Sequence, residues 1–328
     1  MPFPSIWSNL RAGLPPKPTL TEQNLSNQAG KVFIVTGSSS GVGKELARIL
    51  YSHDAKVYVA ARSEEKATRA IDEIKAAFPE SKGSLIYLHL DLDDLTTIKK
   101  SAEEFLARED KLDVLWNNAG VMIPPQGSKT KQGYELQLGT NCVAPFLFTK
   151  LLTPLLVKTA KSAPAGSVRV VWTASSATEL MSPNNGLEFD NFDYKREKAP
   201  FFKYGTSKAG NYYHGTEYAK RYAKDGIVSV ALNPGNLLTD LQRHISGLQL
   251  MVMKTFLYHP RFGAYTELFA GLSPDVTLAK TGSWIQPWGR FDGIRSDLAA
   301  GAKSESEGGT GYAKKFWEWT EEQIKPYE

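Results

Sequence analysis

The chain has 328 residues, 41% of them hydrophobic and 23% charged, with a formal net charge of +4. This composition supports a sizeable core, and no basic cluster with interleaved aromatics indicates nucleic-acid binding. The single cysteine, Cys142, excludes an internal disulfide and a cysteine-based metal site, so we expect a reduced, cytoplasmic setting and no metal. No secretory signal and no run of about 18 apolar residues is present, so no transmembrane segment is expected.

From Lys31 onward, short β-branched runs alternate with amphipathic segments. The predicted strands are 32–35, 56–61, 85–90, 112–116, 168–172 and 227–232. The predicted helices are 44–50, 64–78, 95–107, 204–223 and a region 134–161 that Pro145 and Pro154 should kink or break. This alternation predicts the α/β class, with right-handed βαβ units in a doubly wound, Rossmann-type parallel sheet.

The domain organisation follows from the same pattern. A proline-rich arm, residues 1–29, precedes the first strand, and we expect it to lie over the body of the protein. We predict one domain over residues 30–290, to which the motifs described below assign cofactor binding and catalysis, and a C-terminal extension over residues 291–328.

A glycine-rich turn follows the first strand. A strand, such a turn and a helix together bring a phosphate group to a helix N-terminus, where free N–H groups and the helix dipole favour negative charge. The spacing G-x-x-x-G-x-G matches neither a P-loop nor the usual G-x-G-x-x-G, so a purely structural turn is the alternative. The cofactor-binding candidates here are Gly37, Ser39, Ser40, Gly41, Val42 and Gly43.

Three further strand ends carry binding candidates. Arg62 follows the second strand, where a carboxylate would bind a ribose 2′-hydroxyl and an arginine accommodates a 2′-phosphate, so the position favours NADP over NAD. A solvated arginine at a helix start is the alternative. For the asparagine-rich turn after the fourth strand, the alternative is a turn that forms for local reasons alone. The candidates after the third and fourth strands are Asp91, Leu92, Asn118, Ala119 and Gly120.

Tyr204 and Lys208 are four residues apart and therefore share one face of a helix. A tyrosine with a pKa of about 10 is a poor acid or base at neutral pH, but a neighbouring ammonium group stabilises the phenolate and lowers that pKa. Tyr194 and Lys198 repeat the spacing in a charged loop just before Pro200. Because the residue before a proline resists helix, we interpret this second pair as a chance match without a fixed common face.

Ser175 follows the fifth predicted strand, where its hydroxyl can donate to a substrate carbonyl oxygen as that oxygen becomes an alkoxide. A serine hydrolase is the alternative, but the five histidines show no partner pattern. A polarising serine therefore fits better than a nucleophilic one.

Together and in this order, the motifs resemble those of the short-chain dehydrogenase/reductase family over about residues 30–288. The branch they resemble most is the retinol-dehydrogenase and WW-domain-oxidoreductase-like one, in particular its fungal members. The motifs are residues 36–43 (TGSSSGVG), 117–120 (NNAG), Ser175, Tyr204-x-x-x-Lys208 and Asn233-Pro234-Gly235-x-x-x-Thr239. Ala174 and Trp172 depart from the residues usual in that branch, serine and asparagine.

The resemblance implies a role for each matching residue. Asn141 takes the place of the active-site asparagine, which holds a water linked to the lysine. Asp91 and Leu92 meet the adenine. The loop that meets the nicotinamide and the pyrophosphate contains Pro234, Gly235, Asn236, Leu237 and Thr239.

The predicted function is NADP(H)-dependent hydride transfer between the nicotinamide and a carbonyl or alcohol carbon of an apolar small molecule. Tyr204 gives or takes the proton, Ser175 holds the substrate oxygen, and Lys208 lowers the tyrosine pKa and binds the nicotinamide ribose. The alternatives are a non-redox, cofactor-binding scaffold and a cyclase or isomerase that uses the same pocket. The assembly state, including a homodimer, stays open.

An apolar, methionine-containing segment, residues 241–260, follows the cofactor loop. We interpret it as a lid over an apolar substrate that is more mobile without ligand, because methionine-rich surfaces adapt to varied ligands. An ordinary packed helix is the alternative.

Overall fold

The computed structural model describes residues 14–238 and 257–328. Eight strands form one sheet in the order β3-β2-β1-β4-β5-β6-β7-β8. They are β1 (Val32–Thr36), β2 (Lys56–Ala61), β3 (Ser84–His89), β4 (Val114–Asn117), β5 (Val168–Thr173), β6 (Ile227–Leu232), β7 (Trp284–Gln286) and β8 (Arg290–Phe291). Strands β1 to β7 pair in parallel, and β8 pairs antiparallel to β7. The predicted doubly wound sheet is confirmed, and the two short strands at its edge were not predicted.

Helices cover both faces of the sheet. The helices of seven or more described residues are α1 (Gly41–Ser52), α2 (Glu64–Ala77), α3 (Leu95–Leu106), α4 (Ala144–Ala160), α5 (Pro200–Tyr222), α6 (Pro260–Leu272), α7 (Ser296–Ala302) and α8 (Tyr312–Ile324). Side chains alternate between the faces along each strand. Trp172 of β5 therefore packs with α4, α5 and α8, whereas Val171 packs with α1 and α6.

The helical region predicted over residues 134–161 is continuous from Leu136 to Ala160, and neither proline breaks it. A single turn, Leu136–Leu138, leads into a π-helical turn, Gly139–Val143, and then into α4. Pro145 follows this π-helical turn almost directly, and α4 continues through Pro154. The irregular turn carries Asn141, and π-bulges of this kind are frequent at functional sites.

One stretch of helix, Leu136–Ala160, is long and apolar enough to cross a membrane by length and composition alone. Within its most apolar part, 78% of the residues are buried inside the protein. The stretch packs against α3, α5 and β5, as the central helix of a folded core does.

The C-terminal helices pack on the body of the protein. Helix α8 lies against α5, and Lys150 of α4 pairs with Glu321 at 3.1 Å. The domain boundaries at 29/30 and 290/291 stay a prediction. Residues 1–13 of the arm, Thr239 and positions 241–256 of the predicted lid lie outside the described residues.

Candidate active site

The carboxyl ends of the parallel strands border a cavity of about 560 Å³. Eighteen of the predicted site residues line it. They are Gly37, Ser39, Ser40, Gly41, Val42, Arg62, Asp91, Leu92, Asn118, Ala119, Gly120, Ser175, Tyr204, Lys208, Pro234, Gly235, Asn236 and Leu237. Gly43 and Asn141 do not line the cavity but contact residues that do.

The glycine-rich turn packs tightly against the end of β4. Gly37 has a φ of +68°, and a Cβ on it would lie 2.8 Å from the Cα of Ala119. A Cβ on Gly43 would lie 2.6 Å from Nδ2 of Asn118, an amide that donates to the main-chain oxygen of Thr36 at 2.8 Å. Gly43 therefore serves close packing between β1, α1 and β4, whereas Gly37, Ser39, Ser40, Gly41 and Val42 line the cavity.

Helix α1 presents its N-terminus to the cavity. Its N-cap residue, Ser40, makes no side-chain capping bond, and the first turn contains no acidic residue. The cavity wall here includes Ser40, Gly41 and Val42. Uncapped N–H groups at the positive end of a helix dipole suit an anion such as a pyrophosphate.

Charged side chains collect at the ends of β2 and β3. Arg62 and Lys66 line the cavity on one side, and Asp91 and Asp93 line it on the other. Burial and the neighbouring Asp91 raise the pKa of Asp93, and the Arg62 charge opposes that rise. Sequence reasoning missed Lys66 and Asp93. The signal for Lys66 was its position in the first turn of α2, the helix that starts just after the end of β2.

Tyr204 and Ser175 meet in the cavity, although 28 residues separate them in the chain. Burial raises the pKa of Tyr204 to about 12, and a side-chain hydrogen bond with Ser175 acts in the lowering direction. The Ser175 Oγ also accepts a bond from the main-chain N–H of Ala177 at 3.2 Å. The turn after β5 thus orients the Ser175 hydroxyl toward the first part of α5.

Lys208 lies one turn further along α5. Its Nζ donates to the main-chain oxygen of Thr173 at 2.8 Å and stands 5.8 Å from the centroid of the Tyr204 ring. Burial lowers the pKa of Lys208 to about 8. Burial of the phenol outweighs the Ser175 bond in its effect on the pKa of Tyr204, and a lowering of that pKa by Lys208 stays a prediction.

Asn141 is buried behind the cavity wall. Its Oδ1 accepts from the N–H of Val121 at 2.8 Å, and its Nδ2 donates to the oxygen of Val121 at 3.0 Å and to Oγ of Ser207 at 3.0 Å. The side chain therefore ties the segment after β4 to helix α5. A bound water linked to the lysine stays a prediction.

The second tyrosine–lysine pair is separated. Tyr194 is buried, with the Nζ of Lys203 4.9 Å from its ring centroid, whereas Lys198 pairs with Glu188 at 3.0 Å. The two side chains share no common face, as expected, but Tyr194 is held in place rather than loose. Neither residue lines the cavity.

An apolar wall lies beside Tyr204 and was not predicted from the sequence. Phe201 stands three residues earlier on α5, and Leu180 and Met181 lie at the C-terminal end of the short helix Ala177–Leu180, which follows Ser175. All three line the cavity and are more than one-third exposed. Further apolar residues of this wall are Val121, Met122, Leu136 and Leu257.

A metal centre has no set of ligands in the part of the chain that the structure describes. Across residues 14–238 and 257–328, no group of three or more His, Cys, Asp or Glu side chains could hold an ion.

Known proteins match both the sequence and this arrangement. A family model described as short chain dehydrogenase matches residues 31–187. A short-chain dehydrogenase/reductase of Phomopsis amygdali is 55% identical over 98% of this chain and 97% of its own length. The chain belongs to the short-chain dehydrogenase/reductase family. Another member of this oxidoreductase family, pkfC of Emericella nidulans, is 50% identical over 94% of the chain and 97% of its own length, so the resemblance to fungal members is confirmed.

Solved short-chain dehydrogenase/reductase structures share the fold. The NADP complex of Pseudomonas aeruginosa RhlG is 23% identical, with a TM-score of 0.62 over 79% of this chain and 95% of that one. NADPH-bound carbonyl reductase from chicken fatty liver is 19% identical, with a TM-score of 0.60 over 82% of this chain and 99% of that one. At these identities the likeness confirms the fold alone.

Proposed function

We propose that this protein is an NADP(H)-dependent oxidoreductase that interconverts a carbonyl and an alcohol on an apolar small molecule. The observation that carries the proposal is one cavity with two chemically distinct ends. Arg62 and the uncapped N-terminus of α1 lie at one end, and Ser175, Tyr204 and Lys208 meet at the other.

The residues present fit the cofactor. The N-terminus of α1 would hold the pyrophosphate, Arg62 and Lys66 would pair with a 2′-phosphate, and Asp91 and Leu92 would meet the adenine. The NADP and NADPH complexes of two structural relatives support this assignment. A third relative, the 3-ketoacyl-(acyl-carrier-protein) reductase of Brucella melitensis, was solved with NADH, so the argument for NADP(H) rests on the two cationic side chains.

Tyr204 would act as the proton donor in the reducing direction. When bound, the cofactor supplies the hydride. Because the pKa of Tyr204 is about 12, its phenol is protonated at neutral pH and can donate to the substrate oxygen. The Ser175 hydroxyl would donate to the same oxygen, and the Lys208 ammonium would offset negative charge that develops on the phenol. In the oxidising direction, Tyr204 takes the proton back.

The apolar wall determines the class of substrate. Phe201, Leu180 and Met181 offer no hydrogen-bonding side chain except the weak thioether acceptor of the methionine. A substrate that buries hydrocarbon against them and places one oxygen between Ser175 and Tyr204 would satisfy both parts of the site.

A cytoplasmic location, supported by the unpaired Cys142, is part of the proposal and is tested by cell fractionation.

A panel of apolar ketones and aldehydes tests the function. We expect substrate-dependent loss of the NADPH absorbance, with turnover rising as the apolar portion of the ketone grows. Polar carbonyl compounds of the same size serve as controls. Tight NADPH binding without turnover on any member would favour a scaffold, and product formation without loss of NADPH would favour an isomerase or cyclase.

A further inference from the structure

Glu267 is a fully buried carboxylic acid on α6, on the face of the sheet opposite α5. Its Oε1 accepts a hydrogen bond from the hydroxyl of Thr173 at 2.6 Å. Its Oε2 is buried without a hydrogen-bond partner, and no ion pair to it occurs among the described residues. A buried carboxylate with one oxygen unpaired destabilises the folded protein unless a nearby opposite charge compensates for it.

Thr173 joins this acid to the lysine of the candidate active site. Its hydroxyl points toward α6, whereas its main-chain oxygen accepts from Nζ of Lys208 at 2.8 Å and from Nδ2 of Asn211 at 3.0 Å. A single residue at the end of β5 thus contacts a carboxyl group on one face of the sheet and an ammonium group on the other.

We propose that Glu267 is a positioning residue for Lys208: acting through Thr173, its carboxylate supplies the counter-charge that keeps the buried lysine protonated and in place. The inference rests on the proposed function for its catalytic consequence, because a protonated Lys208 is what assists Tyr204. The structural part of the inference concerns only the contacts among Glu267, Thr173 and Lys208.

The electrostatics of the pair agree with this arrangement. Burial lowers the pKa of Lys208, and the opposing contributions come from Cys142 of the π-helical turn and from Glu267. Burial raises the pKa of the Cys142 thiol and so keeps that thiol neutral, which leaves Glu267 as the carboxylate of the two. Burial raises the pKa of Glu267 to about 7, against the Thr173 bond and the Lys208 charge. Tyr204, on the same helix as the lysine, also faces it. The Glu267 charge thus opposes the lowering of the Lys208 pKa, and the Lys208 charge opposes the raising of the Glu267 pKa.

The first test measures the lysine directly in protein without cofactor or substrate. In protein labelled at the lysine ε-carbon, the NMR signal of Lys208 is assigned by its loss in Lys208→Met and is followed from pH 6 to 11. We expect Glu267→Gln, which keeps the shape and the Thr173 bond, to lower the Lys208 pKa by up to about one pH unit, because it removes a charge that opposes the lowering by burial. Thr266→Val is the matched control, because it alters the adjacent buried residue without changing a charge.

A second variant keeps the test decisive if Glu267→Gln does not fold. Thr173→Val leaves the carboxyl group in place but removes its hydrogen-bond donor, so the acid stays neutral to higher pH and the Lys208 pKa should again fall. The double variant should shift the pKa no further than Glu267→Gln alone. An unchanged Lys208 pKa in either single variant would overturn the proposal.

The second test measures the consequence for the reaction. In the reducing direction, both Tyr204 and Lys208 must be protonated, so the fall of kcat/KM at alkaline pH should move to lower pH in Glu267→Gln and not in Thr266→Val. A lower lysine pKa with an unchanged pH–rate profile would support the action of Glu267 on Lys208 and would count against the proposed role of the lysine in catalysis. The two tests together therefore distinguish a failure of the Glu267 proposal from a failure of the proposed catalytic role of Lys208.

Discussion

The main-chain N–H of Arg295 donates to Oε1 of Glu179 at 3.0 Å, and Nη1 of the same arginine donates to the main-chain oxygen of Glu179 at 2.6 Å. The guanidinium also donates to the main-chain oxygens of Ser182 and Pro183, at 3.2 and 2.5 Å, and pairs with Asp297 at 2.6 Å. One side chain of the C-terminal part thus holds the loop that follows the candidate catalytic serine.

We expect Arg295→Met to raise KM for the carbonyl substrate by about tenfold, equivalent to about 1.4 kcal/mol, with a smaller change in kcat. The loop carries Leu180 and Met181 of the apolar wall, and in the variant its main-chain oxygens lose the guanidinium group that donates to them. Steady-state kinetics and the free energy of unfolding measure the effect, and the latter should fall by about 1–3 kcal/mol. Arg108→Met, which removes an exposed ion pair with Glu104, is the control and should change neither quantity appreciably. An unaltered KM in Arg295→Met would contradict this role.

Removing the phenol oxygen of Tyr204 should abolish turnover but not cofactor binding. Tyr204→Phe keeps the ring and its packing but cannot donate a proton, so kcat should fall on the order of 10²-fold or more. The dissociation constant for NADPH, measured by fluorescence, should stay close to that of the unmodified protein. Tyr194→Phe is the matched control because Tyr194 is buried outside the cavity. Loss of activity in the control with retention in Tyr204→Phe would reverse the assignment.

The charge at Arg62 should set the cofactor preference. We expect NADPH to bind roughly tenfold to a hundredfold more tightly than NADH, because a guanidinium–phosphate pair is charge-assisted. Arg62→Asp should invert the preference by replacing an attraction with a repulsion, and added salt should weaken the preference of the unmodified protein, since Arg62 is exposed. Arg69→Asp, on helix α2 that follows Arg62 but outside the cavity, is the control. Equal affinities for the two cofactors, or a ratio unmoved by Arg62→Asp, would refute the assignment.

His214 should make the protein sensitive to acid. It stacks between Phe316 and Phe146, with ring centroids at 4.6 and 4.8 Å, and burial lowers its pKa to about 3. The unfolded chain binds a proton at this position with a pKa of about 6.5, so below that pH the unfolded state holds more protons and the free energy of unfolding falls.

His214→Leu removes this difference between the folded and unfolded states. Between pH 7 and pH 5 it should lose about 2 kcal/mol less of its free energy of unfolding than the unmodified protein does. Urea unfolding at the two pH values measures the change. His89→Leu, at an exposed position, should leave the acid dependence as it is. A parallel pH dependence of His214→Leu and the unmodified protein would disprove the prediction.

The sequence by itself determined the features that depend on local chemistry. Short β-branched runs predicted the six long strands, because a strand buried on both faces requires a nearly continuous apolar segment. The glycines of the turn after β1, the strand-end residues and the Tyr204–Lys208 spacing located the site, since parallel strands bring their carboxyl ends to one edge of the sheet. Each of these signals lies within a few neighbouring residues of the chain.

Only the tertiary structure decided the features that depend on burial and on contacts between distant residues. Glu267 stands 94 residues after Thr173, and no local pattern indicates that the fold brings the two together through the sheet. Burial raises the pKa of Tyr204, and the ammonium group of Lys208 bonds to a main-chain oxygen, and the Tyr204–Lys208 spacing indicates neither. Spacing along a helix determines which side chains share a face, but the solvent and the partners that each side chain meets are determined by the packing of the whole chain.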